Sequence, residues 1–375
     1  MSVPGRWRGG GSRRVVQVEL GERSYSIQIG VNSLSRIGSE VARATKASRV
    51  AMVTVPEVGR RYAAPLARSL REAGIRCHRI EVPDGDRAKN LRQLARLYDA
   101  FLECGLDRSS AVLALGGGVV GDLAGFAAAS YLRGIPFVQV PTTLLAMADA
   151  SVGGKVGVNL ARGKNLVGAF HQPRLVWIDI ATLESLPRRQ RAAGMAEVIK
   201  TAAIRDAGLF AALEENLEAV LDLAPEALLP LLARVCEIKA EVVSRDEREG
   251  GLRMLLNFGH TLAHAVEALT RFRGVLHGEA VAMGMVHAAR RSEELDLAPP
   301  GTRERLERLL RRAGLPTQAP DFSRKAYLSA LRVDKKRREK RIRFVALRRL
   351  GRAETIPLTP AEILGPAHRF RAGKG

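Results

Sequence analysis

The most constraining feature of the chain is an unbroken apolar run, Ala111 to Leu115, that passes directly into Gly116-Gly117-Gly118 and then Val119-Val120-Gly121-Asp122. Read literally, Gly116, Gly118 and Gly121 form GxGxxG between a buried strand and a helix. In that geometry backbone N–H groups and a helix N-terminus can approach a pyrophosphate. A strand of this kind belongs in a mostly parallel sheet with helices on both faces. The usual dinucleotide fingerprint adds an acid about 20 positions on, at the end of the next strand. Here that strand ends Val140-Pro141-Thr142-Thr143, with no acid. A tight glycine turn with Asp122 capping the helix is the alternative at this point.

The flanking sequence extends the pattern. Val15 to Leu20 and Tyr25 to Ile29 alternate around Gly21-Glu22 as a β-hairpin. Val50 to Val55, Arg76 to Val82, Pro136 to Val140 and Leu175 to Ile180 read as strands. Tyr62 to Ala73 and Asn90 to Cys104 read as helices, stopped by Gly74 and Gly105. Beyond Leu186-Pro187 the texture becomes helical, over Gln190–Arg205, Leu209–Leu223, Pro225–Arg245, Leu255–Leu269, Gly278–Leu295 and Thr302–Arg312. Only Ile342 to Leu347 is strand-like there. The expected fold is therefore an α/β, Rossmann-like N-terminal domain over residues 15–187, followed by a mainly α-helical domain over 188–375. A length of 375 residues suits two domains.

Met1 to Arg14 is rich in Gly and Arg, has no apolar core of a secretory signal, and reads as a solvated tail. The longest charge-free run, Gly134 to Ala148, is too short to span a bilayer. Cys77, Cys104 and Cys236 are odd in number and far apart, as expected of reduced thiols in a cytoplasmic protein with no membrane association.

Of 60 basic residues against 39 acidic, only 11 are lysine. The arginines are spread over most helices, and the densest cluster, Lys335 to Arg343, lacks the interleaved aromatics that stack on bases. This argues for an Arg-biased composition and against a nucleic-acid partner. Attraction of a small, multiply anionic substrate is the simpler use of the charge. Lysines retained in glycine-rich segments stand out accordingly: Lys155 in Ser151–Asn159, and Lys164 in Gly163-Lys164-Asn165. A compact ammonium suits phosphate or hydroxyl groups that arginine would crowd.

Four of seven histidines fall within 28 residues: His260, His264, His277 and His287. His260 and His264 share a helix face, but no Glu follows His260, so HExxH is absent. Two imidazoles and a carboxylate make a three-ligand catalytic metal site, and the best carboxylate is Glu197, an acid in the apolar stretch Gly194–Lys200. His287 reads as a core residue, and His78, His171 and His368 carry no motif.

Taken together, these segments resemble the 3-dehydroquinate synthase family of sugar phosphate cyclases over roughly Asp84 to Arg352. The resemblance is carried by Pro83-Asp84-Gly85-Asp86, GGGVVGDLAGFAAASYLRG, VPTTLLAMADASVGGKVGVN, GKNLVGAFHQP, GMAEVIK, NFGHTLAHAVE, LHGEAVAMGM and Asp334-Lys335-Lys336. It implies Glu197, His260 and His277 as ligands of zinc, or of cobalt, and His264 as a catalytic group rather than a ligand. It implies NAD contacts at Asp84, Gly85, Asp86, Arg87, Ala88 and Lys89, at Gly118, Val119, Val120, Gly121 and Asp122, and at Thr142, Thr143, Lys155 and Lys164. Thr182, Leu183, Glu184 and Ser185 complete that set. Substrate contacts would be Arg133, Asp149, Lys155, Asn165, Lys200, Lys239, Arg253, Asn257, His264 and one of Lys335 or Lys336.

The family's reaction takes 3-deoxy-D-arabino-heptulosonate 7-phosphate, a sugar phosphate, to 3-dehydroquinate in the shikimate pathway. It proceeds by transient oxidation with NAD, loss of phosphate, re-reduction and intramolecular aldol closure. The resemblance further implies a homodimer. This sequence departs from the family pattern at Asp86, where Glu is usual, at Val156, where Thr is usual, and at Leu262-Ala263, where Phe-Gly is common. The rival readings are a valiolone-type or deoxy-inosose synthase, and a metal-dependent polyol dehydrogenase.

Overall fold

The computed structural model describes residues 13–160, 163–333 and 341–366. Lys335, Lys336 and His368 lie outside the described residues. Eleven strands are described: β1 Arg14–Val18, β2 Tyr25–Gly30, β3 Arg49–Thr54, β4 Arg76–Glu81, β5 Ala111–Gly116, β6 Phe137–Pro141, β7 Lys155–Leu160, β8 Gly163–Phe170, β9 Leu175–Asp179, β10 Ile342–Arg349 and β11 Arg352–Leu358. The α-helices are α1 Gly38–Thr45, α2 Pro56–Glu72, α3 Leu91–Glu103, α4 Gly118–Ser130, α5 Arg188–Arg205, α6 Ala207–Leu221, α7 Pro225–Arg245, α8 His260–Leu269, α9 His277–Glu294, α10 Thr302–Arg312, α11 Arg324–Val333 and α12 Pro360–Leu364.

The chain divides into two compact units. One runs to Leu186 and takes in Leu223–Ser244; the other holds Pro187–Asp222 and the described residues from Arg245 onward. The first crossing falls at Leu186-Pro187. The segment carrying α7, which the sequence reading assigned to the second half, groups with the first.

The first unit is built on a seven-stranded sheet in the order β1-β2-β9-β6-β5-β3-β4. All neighbours are parallel except the β1–β2 hairpin. Every residue of β5 is buried, which explains its uninterrupted apolar sequence. One face packs under α3 and α4 through Leu97, Phe101, Leu123 and Phe137, and the other under α1 and α2 through Val41, Leu66, Leu70 and Trp177. The register aligns Thr54 with Leu115 and Gly116 with Pro141, so the segments following β3, β5 and β6 emerge along one edge. In parallel α/β sheets ligands bind outside this carboxyl edge.

Three local expectations are corrected. Helix α2 starts at Pro56, earlier than Tyr62, because proline at the first helical position has its φ preset and no N–H to satisfy. Residues 151–154 form a turn, and Lys155 and Lys164 lie on the strands of the antiparallel hairpin β7–β8. Its glycines serve close approach: a Cβ on Gly157 would stand 2.6 Å from the carbonyl oxygen of Val167. In the second unit β11 joins the expected β10 strand as a hairpin.

The expected helix Leu255–Leu269 is broken. Leu252–Asn257 forms a 3₁₀ turn, Phe258 is extended, Gly259 adopts φ +80°, and α8 begins at His260. Two backbone contacts fix the helices here. A Cβ on Gly284 of α9 would collide with the carbonyl group of Gly259, and one on Gly278 with the carbonyl group of Ala193 in α5. Helices α5, α8 and α9 thus meet at contacts one residue from His260, one from His277 and four from Glu197. Gly284→Ala is expected to destabilise the protein by about 1–3 kcal/mol, since backbone and not a flexible side chain must yield. Urea unfolding tests this, and wild-type stability would contradict the close packing.

Candidate functional site

In the first unit the segments after the parallel strands carry most of the residues expected to touch a dinucleotide. Asp84 to Lys89 follows β4, with Gly85 at φ +90° leading into a short 3₁₀ turn. Gly118 to Asp122 is the first turn of α4, capped by Gly117. Thr142 and Thr143 follow β6, and Thr182 to Ser185 lie in the 3₁₀ turn after β9. That turn is anchored by Asp179, whose buried carboxylate accepts the amides of Asn32, Ser33, Leu34 and Ala181 at 2.5–3.1 Å. The anchoring acid was not singled out from the sequence, although it ends a recognised strand.

Asp122 is not the cap of α4. Its carboxylate pairs with the ammonium of Lys89, a buried side chain that also donates to Oδ1 of Asn165. Burial pushes the Asp122 carboxyl up, against the pull of Lys89. The hairpin is tied to the same loop: Asn159 N donates to Lys89 O at 2.8 Å, and Lys164 stands 3.3 Å from Asp86 Oδ2. Lys155 is exposed on β7. Lys239, on α7, pairs with Asp149. The Asp84–Lys89 loop, Asp122, Asn165 and Lys164 are therefore brought together, and Asp149 with Lys239.

Arg133 is not brought to that edge. It follows α4 and precedes β6, whose first residue is paired with Val112 at the start of β5. It therefore sits at the opposite, amino edge of the sheet. The family resemblance implies a substrate contact at Arg133; within this unit the antiparallel return of α4 sets it apart from the glycine turn.

In the second unit Glu197, His260 and His277 converge, with one ligand atom from each within 4.8 Å of the others. Glu197 is 1% exposed and sits mid-way along α5. Its Oε2 pairs with Lys200, one turn on and equally buried, while Oε1 meets no hydrogen-bond donor among the described residues. From that oxygen Nε2 of His260 lies at 3.8 Å and Nε2 of His277 at 3.7 Å. These separations are too long for hydrogen bonds. Ligands about 2.0–2.2 Å from a tetrahedral ion would stand roughly 3.3–3.6 Å apart, so a small contraction makes a three-donor cation site. The orphaned oxygen is what a cation would satisfy.

The Nδ1 sides of both rings are occupied. His260 Nδ1 faces the carbonyl oxygen of Phe258 at 3.2 Å, and His277 Nδ1 faces Oε1 of Glu267 at 3.4 Å. Both rings thus turn Nε2 inward. Burial, then Lys200 and the neighbouring imidazoles, hold the His260 pKa well below the ordinary histidine value, so this ring is neutral. Burial also depresses His277, but the hydrogen bond to Glu267 and the charges of Glu197 and Glu267 outweigh it and raise the value.

A cation must displace that proton from His277. Zinc affinity should therefore fall as pH drops through the raised His277 pKa. Chelator competition at pH 8, 7 and 6 tests this, and a pH-independent affinity would contradict it.

His264 is half-buried on α8, its ring centroid 5.7 Å from that of His260 and outside the three-donor cluster. Arg253 is buried, with Nη1 donating to the carbonyl of Glu247 at 2.6 Å, and Asn257 donates to Glu249 at 2.7 Å. His287 is held by the carbonyl oxygen of Ile363 at 2.8 Å, as a structural histidine would be. Two supporting acids escaped the sequence reading. Glu279 accepts the Leu276 amide at 2.8 Å and a bidentate bond from Arg189, fixing the start of α9 beside His277. Glu267 was visible only as the acid seven residues after His260.

The chain matches the family described as 3-dehydroquinate synthase N-terminal over residues 79–193, and that described as 3-dehydroquinate synthase C-terminal over residues 194–337. It is 51% identical to 3-dehydroquinate synthase of Geotalea uraniireducens over 90% of this chain and 93% of the relative. It is 46% identical to that of Nostoc punctiforme, over 93% and 97%. Among solved structures, 2-deoxy-scyllo-inosose synthase complexed with carbaglucose-6-phosphate, NAD+ and Co2+ superimposes with a TM-score of 0.85 at 28% identity, covering 94% of this chain and 98% of the other. A 2-epi-5-epi-valiolone synthase from Streptomyces hygroscopicus, with NAD+ and Zn2+ bound, gives 0.83 at 30%, over 95% and 97%. Glycerol dehydrogenase from Schizosaccharomyces pombe, at 18% identity and a TM-score of 0.64 over 90% and 86%, shares the fold alone. With both halves of the family pattern matched in order and 51% identity over 93% of a relative, the chain belongs to the 3-dehydroquinate synthase family.

Proposed function

We propose that the protein converts 3-deoxy-D-arabino-heptulosonate 7-phosphate to 3-dehydroquinate and inorganic phosphate, as a carbon–oxygen lyase using NAD and a divalent cation. One observation carries this reading: identity to relatives bearing that activity's name far exceeds identity to the other cyclases of the same fold. The cluster of Glu197, His260 and His277 supports the cation.

When bound, NAD supplies a hydride acceptor regenerated within each turnover, and the cation supplies Lewis acidity toward an oxygen of the substrate. The chain's own residues bind, orient and balance charge. Glu197, His260 and His277 would hold zinc or cobalt. The Gly118–Asp122 turn would offer its N–H groups and helix N-terminus to the pyrophosphate. Asp84–Lys89, Thr142, Thr143, Lys155, Lys164 and Thr182–Ser185 would complete the cofactor contacts. Lys89 keeps the Asp122 carboxylate neutralised beside that turn.

The substrate carries a carboxylate and a phosphate, and Lys155, Lys200, Lys239 and Arg253 would orient them and offset their charge. Asn165 and Asn257 would add neutral hydrogen bonds. His264 would hold a proton at its imidazole near the departing phosphate. Asp149 would fix the Lys239 ammonium. One of Lys335 or Lys336 would add a further contact.

We extend the reading to a cytoplasmic homodimer without nucleic-acid partners. The unpaired thiols support the compartment: Cys77, Cys104 and Cys236 are all free, and burial pushes Cys77 up to about 11 and Cys236 to about 12, which leaves both unreactive. Among the described residues no helix is long and apolar enough to cross a membrane. The homodimer rests on the family resemblance.

The test is incubation with the heptulosonate phosphate, zinc and NAD below the substrate concentration. Phosphate and dehydroquinate should form in many-fold excess over NAD without NADH accumulating. One NADH per turnover would instead identify a polyol dehydrogenase, and turnover of a different sugar phosphate alone would identify another cyclase.

A further inference from the structure

The carboxylate of Glu267 plays no part in the reaction residues named so far. It lies on α8, seven residues after His260 and three after His264, so the three side chains form one stripe along the helix. Glu267 is 5% exposed, an unusual position for an acid. Its Oε1 stands 3.4 Å from Nδ1 of His277, while Nε2 of the same ring stands 3.7 Å from Oε1 of Glu197. One imidazole is thus flanked by two carboxylates, one at each nitrogen.

The two histidines of the cluster are tethered differently. The His260 side chain is 11% exposed, and its Nδ1 faces a neutral backbone carbonyl two residues away. The His277 side chain is 35% exposed, at the first position of α9 directly after the Arg271–Leu276 turn. Its tether comes from the side chain of another helix. The more exposed donor, at a helix end, therefore depends on a long-range contact to keep its orientation.

We propose that Glu267 is a positioning residue for the metal centre. Its carboxylate accepts Nδ1–H of His277, fixes the tautomer that leaves the lone pair on Nε2, and aims that lone pair at the point shared with Glu197 and His260. The proposal rests on reading Glu197, His260 and His277 as the cation ligands. Glu267 does not touch the cation. Partners of this kind commonly govern metal affinity by 10–100-fold. A carboxylate that served only to stabilise the fold would lower the stability of the metal-free protein and leave cation affinity unchanged.

Full-length wild type, Glu267→Gln, Glu267→Ala and His260→Ala are compared by three readouts: zinc affinity by chelator competition, the visible spectrum of the cobalt-loaded protein, and thermal unfolding of the metal-free form. Glu267→Gln keeps the shape, so its metal-free unfolding should match wild type while zinc binds about 10-fold more weakly. Glu267→Ala should lose about 100-fold, with an altered cobalt spectrum and faster stripping by chelator. Should the alanine variant fail to fold, the glutamine variant decides. If wild type binds one zinc that His260→Ala loses, yet Glu267→Gln and Glu267→Ala keep wild-type affinity and spectrum, Glu267 has no positioning role and the metal centre stands. If wild type itself binds no zinc, both readings fall.

Discussion

His260→Ala is expected to leave the purified protein without stoichiometric zinc and to lower turnover by at least about 10³-fold, the equivalent of roughly 4 kcal/mol of Lewis-acid stabilisation. The reason lies in the donor count. Three side chains converge on one point, and the orphaned oxygen of Glu197 has only the two Nε2 atoms beside it. Two donors with a vacated third position hold a cation far less well. His264 lies next along the same helix but outside the cluster, so it does not substitute. The companion variant His264→Ala should keep its zinc and turn over slowly. Metal lost from His264→Ala as well as from His260→Ala would restore the i, i+4 histidine pair as ligands. Metal analysis of both proteins, alongside phosphate release, separates these outcomes.

Lys89→Met is expected to cost about 3–5 kcal/mol of stability and to abolish high-affinity NAD binding. Removing one partner of a buried ion pair leaves the other charge uncompensated. Here the survivor is Asp122, in the first turn of α4, and Asn165 also loses its donor. Burial already pushes the Asp122 carboxyl up, so protonation relieves the strandedness. The deficit relative to wild type should therefore shrink as pH falls into the carboxylate range and widen as pH rises. Adding Asp122→Asn to Lys89→Met should recover much of the stability without recovering cofactor affinity. Urea unfolding of the four-protein cycle tests this. Additive effects of the two substitutions would show that Lys89 and Asp122 act independently.

The parts legible in the sequence were those with local periodicity. The alternating hairpin, the apolar parallel strands and the strand-to-glycine turn all follow from patterns within a few residues of one another. Glu197 as a ligand was legible through chemistry, because a lone acid in an apolar helix requires a partner, whereas the choice of His277 over His264 beside His260 came from the family resemblance.

What the sequence concealed was set by distant backbone. Apolar periodicity runs straight through Phe258-Gly259, so a single helix was expected; the break is imposed by Gly284 packing onto the Gly259 carbonyl. The glycines of Ser151–Asn159 read as loop formers, whereas Gly157 allows two strands to lie close together. Arg133 sits inside a site-bearing motif, and only the return direction of α4 shows that it reaches the other edge of the sheet. The partnership of Glu267 with His277 joins different helices, so neither helix's own spacing reveals it. The same holds for α7, whose grouping with the first unit depends on contacts far along the chain.

The most direct measurement is X-ray diffraction at the zinc absorption edge, from crystals of the zinc-loaded protein. One anomalous peak should be bonded to a carboxylate oxygen of Glu197 and to Nε2 of His260 and of His277, each at about 2.0–2.2 Å. A zinc ion ordered elsewhere, with these three side chains uncoordinated, would contradict the account.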